Sequence, residues 1–170
     1  MKLISLLEKL EYTCLQGSTD QEVKNVIYDS RKVEEGSLFI CIRGAVVDGH
    51  KFVPDVVAKG AKVLIVEEAV EAPEDVTVIL VKDTRYAMAF ISAAYFGYPA
   101  EKLKTIGITG TKGKTTTTYM VKSILENAGY KVGLIGTIEA IIGDKVIPAK
   151  NTTPESYVCL LYTSDAADDM

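Results

Sequence analysis

The stretch Thr105–Thr118, TIGITGTKGKTTTT, carries the reading of this chain, because a short apolar run there breaks into a Gly/Thr/Lys loop and then into a helical pattern. The β-branched run Thr105-Ile106-Gly107-Ile108-Thr109 predicts a short buried strand. From Thr116 on, apolar groups at Met120, Val121, Ile124, Leu125 and Ala128 recur at helical spacing. The loop thus falls between a strand end and a helix start, where free backbone N–H groups and the positive end of the helix dipole favour an anion such as phosphate. Gly110 and Gly113 let the backbone curl around that anion, Lys114 would reach the β- and γ-phosphates, and the Thr115 hydroxyl is placed to ligate Mg²⁺. The strict pattern G-x-x-x-x-G-K-[ST] wants Gly at position 108, where this chain has Ile108, so the motif present is the shorter Gly110-x-x-Gly113-Lys114-Thr115. The competing reading is a Gly-rich turn that caps a helix, with an incidental lysine.

Downstream, Asn127-Ala128-Gly129 should end the helix, and Val132–Ile135 reads as a strand, so residues 105–136 are expected to form a β-loop-α-β unit with a parallel pair. Ile138–Ile142, Gly143-Asp144 and Lys145–Ile147 suggest a hairpin with a tight turn. Asn151-Thr152-Thr153-Pro154-Glu155 follows as an exposed polar loop. Two parallel strands and one helix cannot bury both apolar faces, so this second domain looks cut off after its beginning. Residues 159–170, CLLYTSDAADDM, continue no earlier pattern and resemble a translated transposon-library adapter. They are expected to be a non-native tail, the alternative being an ordinary acidic C-terminus.

Upstream, Leu3, Leu6, Leu7 and Leu10 predict a short helix, and Val23–Ile27 and Leu38–Ile42 predict strands. Between these strands lie Asp29-Ser30-Arg31 and a turn at Glu34-Glu35-Gly36. Lys51–Lys59 reads as a helix ending at Gly60, and Val63–Val66 and Val76–Val81 read as strands. Asp83 is a plausible N-cap for a helix Thr84–Phe96 that Gly97-Tyr98-Pro99 stops. Helices alternate with strands, which is the pattern of an α/β unit. The expected organisation is a small α/β N-terminal domain over 1–98, the truncated start of a P-loop parallel-sheet domain over 99–158, and the tail.

The 170 residues are 48% hydrophobic and 25% charged, as in a soluble globular protein. A net charge of -4 with scattered lysines argues against a nucleic-acid binder. No apolar segment is long enough to span a bilayer, and the N-terminus lacks a signal-peptide core, so a cytoplasmic location is the default expectation. Cys14, Cys41 and Cys159 are far apart, with only His50 for company, which supports neither a disulfide framework nor a zinc site.

Three motifs stand in order. They are Asp29-Ser30-Arg31-Lys32-Val33 with Gly36-Ser37-Leu38-Phe39 and Asp48-Gly49-His50, then Thr109-Gly110-Thr111-Lys112-Gly113-Lys114-Thr115-Thr116-Thr117, then Asn151-Thr152-Thr153-Pro154-Glu155. Together they resemble the Mur ligases of peptidoglycan synthesis, most closely the MurE type, the UDP-N-acetylmuramoyl-tripeptide synthetases, over residues 1 to about 157. The resemblance implies a parent ligase that adds the third amino acid by ATP-dependent amide formation through an acyl phosphate, with ATP and Mg²⁺ required, and this chain is expected to be an incomplete, inactive N-terminal piece of it. The partners it implies are UDP-N-acetylmuramoyl-L-Ala-D-Glu and an incoming amino acid, with no nucleic acid or membrane and a monomeric protein. It places ATP on Gly110, Thr111, Lys112, Gly113, Lys114, Thr115 and Thr116, with Lys114 also catalytic and Thr115 on the metal. It places the UDP end of the substrate at Ser30 and the muramoyl-dipeptide at Asn151, Thr152 and Thr153. The alternatives are a non-catalytic nucleotide- or UDP-muramoyl-binding module and a sister Mur ligase. Many members have Asn at the position of Lys112, which could face the phosphates or solvent. Arg31 could pair with a diphosphate or with Asp29, and His50 could order its turn or act as an acid or base.

Overall fold

The computed structural model describes residues 1–44, 47–149 and 154–168. The chain divides into two compact units, Met1–Tyr95 and Phe96–Met170.

The first unit is built on a five-stranded sheet in the order β1-β5-β4-β3-β2. Its strands are β1 (Thr13–Gln16), β2 (Asn25–Ile27), β3 (Ser37–Ile40), β4 (Val63–Val66) and β5 (Thr77–Leu80). β2 to β5 are parallel, and β1 closes one edge antiparallel to β5. Every residue of β3 and β4 is buried, which is why SLFI and VLIV read as continuous apolar runs and not as alternating ones. Phe39, Leu64, Val66 and Val78 turn to one face, where they join Val53 and Val56 of α2 (Val53–Ala58). By the two-residue alternation of a strand, Leu38, Ile40, Val63 and Ile65 turn to the other face. The helices α1 (Leu3–Leu6) and α3 (Thr84–Tyr95) pack on one another, burying Leu3, Leu6, Ala87, Met88 and Ile91.

Most expected elements of this unit are present with shorter ends. α3 starts where expected, with Asp83 Oδ1 accepting from Tyr86 N at 2.9 Å, and the helix before Gly60 opens with a 3₁₀ turn over Gly49–Phe52. β1 was not anticipated. Its residues Thr13, Cys14 and Leu15 are exposed, so no apolar alternation marks the strand. Its position is instead held by pairing to β5 and by Gln16 Nε2, which donates to the carbonyls of Pro73 at 2.6 Å and Val76 at 2.9 Å.

The second unit differs from its expectation in one main respect. Residues 104–110 form no strand, and Ile106 is 64% exposed. The sheet here is three-stranded and antiparallel in the order β6-β7-β8, with β6 (Leu134–Ile135), β7 (Glu139–Ile142) and β8 (Lys145–Pro148). The expected parallel pair is therefore absent among the described residues. β6 reaches β7 through a short connection, and closing that small loop costs less entropy than a parallel crossover around a whole helix. The hairpin with its Gly143-Asp144 turn forms as read. Helix α4 (Lys114–Asn127) ends before Gly129 as expected, but it has no buried residue. A last helix, α5 (Ser156–Asp168), continues unbroken through Val158 and Cys159, and Tyr157 packs against Phe96 with ring centroids 5.3 Å apart.

Candidate functional site

In the second unit, the Gly/Thr/Lys loop runs straight into the first turn of α4. Gly113 is the residue before the helix and has φ +78, a left-handed conformation that glycine adopts without a steric penalty. A Cβ placed there would project into open space, so the glycine serves the backbone's turn and does not relieve a clash. The helix continues with Thr117 N donating to Gly113 O at 2.9 Å, and no side chain caps its start. The amides of Lys114, Thr115 and Thr116 occupy the first turn, where backbone N–H groups lack helical acceptors. This donor set suits a multiply charged anion: uncapped amides at the positive end of a fourteen-residue helix, with cations alongside.

Lys114 curls back over the loop and donates from Nζ to Gly110 O at 2.5 Å. Its ammonium therefore lies on the loop side of the helix start. Thr115 is half-buried and its Oγ1 lies 3.3 Å from Thr137 Oγ1, in the segment between β6 and β7. Thr111, Lys112 and Thr116 are exposed. One turn further along α4, the Tyr119 hydroxyl donates to Glu139 Oε1, and this bond to the carboxylate pushes the phenol's pKa above its ordinary value. Neither Thr137 nor the Tyr119–Glu139 contact was read from the sequence. Both link residues about twenty positions apart, and no local spacing signals such a pair.

In the first unit, Ser30 opens a 3₁₀ turn over Ser30–Lys32 whose N-cap is Asp29. Lys59 Nζ donates to Ser30 O at 2.8 Å, which places a cation beside that turn. Arg31 donates to Asp29 from Nε at 2.9 Å and from Nη2 at 2.8 Å, so of its two readings the ion pair with Asp29 is the one present. That two-point contact holds the Asp29 carboxyl down at about 2. His50 orders its turn: Nδ1 meets Asp48 Oδ1 at 2.7 Å, and Nε2 accepts from Glu67 N at 3.0 Å, which fixes the proton on Nδ1. Asp48 also accepts from His50 N, and these bonds lower its pKa. Gly49 is required by proximity, since a Cβ there would meet Ile42 N at 2.7 Å. Asp48-Gly49-His50 is thus a structural joint between the chain after β3 and the start of α2. Asn151, Thr152 and Thr153 lie outside the described residues.

The parallel-sheet unit and the unit that holds this loop and α4 are matched, in that order, by two models of one family. Residues 22–96 match "Mur ligase family, catalytic domain", and residues 108–170 match "Mur ligase middle domain". The chain belongs to the Mur ligase family. Among its relatives, the UDP-N-acetylmuramoyl-L-alanyl-D-glutamate--2,6-diaminopimelate ligase of Clostridium perfringens is 54% identical over 157 residues, covering 92% of this chain and 32% of that protein. Ligase 1 of the same name from Clostridium acetobutylicum is 48% identical, covering 99% of this chain and 35% of that protein. The chain spans about a third of the length of the curated relatives it matches. A solved MurF of Acinetobacter baumannii is similar over 96% of this chain and 32% of its own, at 28% identity and a TM-score of 0.64. A solved UDP-N-acetylmuramoyl-L-alanyl-D-glutamate--2,6-diaminopimelate ligase, 22% identical over 99% of this chain and 34% of its own, shares the fold with a TM-score of 0.76.

Proposed function

We propose that this chain supplies the UDP-binding and ATP-phosphate-binding parts of a ligase that joins an amino acid to UDP-N-acetylmuramoyl-L-Ala-D-Glu in peptidoglycan synthesis. The observation that carries the reading is the loop Gly110–Thr116, where a left-handed Gly113, an uncapped helix start and the Lys114 ammonium converge. The relatives' names support the dipeptide as substrate and 2,6-diaminopimelate as the incoming amine. The reading goes with a monomer in the cytoplasm, where ATP is supplied.

In this reading, the amides of Lys114, Thr115 and Thr116 hold the β- and γ-phosphates of ATP. Lys114 exchanges its bond to Gly110 O for a phosphate oxygen and stabilises the charge that builds as a substrate carboxylate attacks the γ-phosphorus. That attack breaks the bond between the β- and γ-phosphates, expels ADP and gives an acyl phosphate, which the amine then converts to the amide with release of phosphate. This order of steps has a chemical reason, because a carboxylate is a poor electrophile until its oxygen becomes a good leaving group. The Thr115 hydroxyl is the group of this loop that would hold Mg²⁺, which would supply neutralisation of phosphate charge. Ser30 and the Lys59 ammonium beside it would meet the UDP end of the substrate in the first unit. Asn151, Thr152 and Thr153 are assigned to the muramoyl-dipeptide on the family resemblance alone.

The test reads binding and not turnover, since the chain spans about a third of its relatives' length. Calorimetric titration of the chain with ADP and Mg²⁺ should give a single site, and Lys114→Ala should weaken it about tenfold or more, roughly 1.4 kcal/mol. Equal affinity in the variant would remove the loop from the reading.

A further inference from the structure

A hydroxyl that serves a cation must turn its lone pairs toward the cation and send its proton elsewhere. Threonine has one O–H donor and two acceptor lone pairs, so a partner that accepts its proton leaves both lone pairs for the cation and the proton satisfied. In this chain the nearest recorded side-chain partner of Thr115 Oγ1 is Thr137 Oγ1 at 3.3 Å, a residue 22 positions later. The separation is longer than an ordinary O–H···O bond, as pairs at such sites often are before ligand binds.

A second contact keeps that pair in register. Thr115 and Tyr119 are four residues apart and share a face of α4, while Thr137 lies in the bend just before β7 and Glu139 is the first residue of that strand. Tyr119 bonds Glu139 one helical turn below the Thr115–Thr137 pair. Two rungs, a hydroxyl pair and a phenol–carboxylate bond, therefore join the first turns of α4 to the β6–β7 segment. Glu139 is engaged with Tyr119, away from the loop, so the group presented to Thr115 is the neutral hydroxyl of Thr137 and not the carboxylate.

We propose that Thr137 is a positioning residue, whose Oγ1 accepts the Thr115 proton and so turns the Thr115 lone pairs toward a divalent cation held with nucleotide at the loop. The inference rests on the nucleotide-binding reading of Gly110–Thr116. Its consequence is specific: Thr137 should matter for the cation's contribution to nucleotide affinity and not for the phosphate cradle itself, which is made of backbone amides and Lys114.

The experiment is calorimetric titration of the whole chain with ADP, once with Mg²⁺ and once with EDTA, for wild type, Thr137→Val and Thr137→Ser. Valine keeps the branched shape and removes the hydroxyl, whereas serine keeps the hydroxyl. The expected result is that T137V loses about threefold or more of the affinity gained from Mg²⁺, with its affinity in EDTA within about twofold of wild type, and that T137S keeps the gain. The inference is overturned if T137V retains the full Mg²⁺ gain, if it weakens binding equally in both buffers, or if T137S behaves like T137V. Absence of ADP binding by the wild-type chain would instead overturn the nucleotide reading, and the inference with it.

Discussion

In Met1–Tyr95, four parallel strands are covered by helices and the interior strands β3 and β4 are buried at every position. In Phe96–Met170, the buried apolar residues among those described are Pro99, Leu134, Ala140 and Ile142, while Ile106, Met120, Ile124, Tyr130, Ile135, Ile138 and Val146 are exposed. Both units carry strand-like and helix-like sequence, so local propensity does not separate them. They differ in neighbours. A parallel strand needs partners on both sides and cover on both faces, and the first unit supplies them within its own ninety-five residues. In the second unit, the apolar run at 105–109 pairs with no strand among the described residues, and α4 meets only β6 of the small sheet closely enough to half-bury Val121 and Leu125. The loop Gly110–Thr116 thus rests mainly on its own backbone geometry and on the Lys114–Gly110 bond, while side-chain contacts to Thr137 and Glu139 tie α4 to the β6–β7 segment.

The largest expected effects probe that contrast directly. Phe39→Ala, in the packed core of the first unit, should cost about 3–5 kcal/mol, while Met120→Ala on exposed α4 should stay within about 0.5 kcal/mol. Urea unfolding followed by hydrogen exchange at β3 and α4 amides would show both, and comparable losses at the two sites would erase the distinction. Cysteine labelling should rank the regions more finely. Cys14 is exposed, Cys159 is half-buried, and burial pushes the Cys41 thiol up to about 12. Little of Cys41 is thiolate at pH 7 and its sulfur is buried, so iodoacetamide should modify Cys14 first, Cys159 next and Cys41 only with unfolding. Early labelling of Cys41 would show that the first unit opens.

The smallest effect is in the first unit's surface turn. Asp29 is held at about 2 in the folded chain against an ordinary 3.8, so its bond to Arg31 stabilises the fold above about pH 4. That contribution is lost as pH falls from 4 toward 2, and the exposure of Arg31 limits it to under about 1 kcal/mol. Asp29→Asn should flatten this part of the stability profile, and an unchanged slope would mean the pair is open in solution.

The first unit was legible because its signals are local and agree. β4 is a four-residue apolar run, α3 begins after the N-cap Asp83, and α2 stops before Gly60. β1 was not legible, since its side chains face solvent and its pairing to β5 is a long-range fact. The misjudged strand at 105–109 had the right composition and no partner, and composition does not report partners. At the loop, the glycine turn at Gly113 and the helix start at Lys114 were legible because a loop and the helix it enters are continuous in sequence. Arg31 and His50 each admit two roles in sequence, and only their partners Asp29, Asp48 and Glu67 decide between them. Thr137 and Glu139 carry no local signature and are visible only through the side chains they meet.

The most direct measurement is the amide spectrum of the ¹⁵N-labelled chain titrated with ADP and Mg²⁺. Saturable shifts should appear at Gly110–Thr118 and at Thr137, with the amides of β3, β4 and α2 unmoved. An unchanged spectrum, or shifts confined to Met1–Tyr95, would contradict the assignment of the phosphate site to this loop.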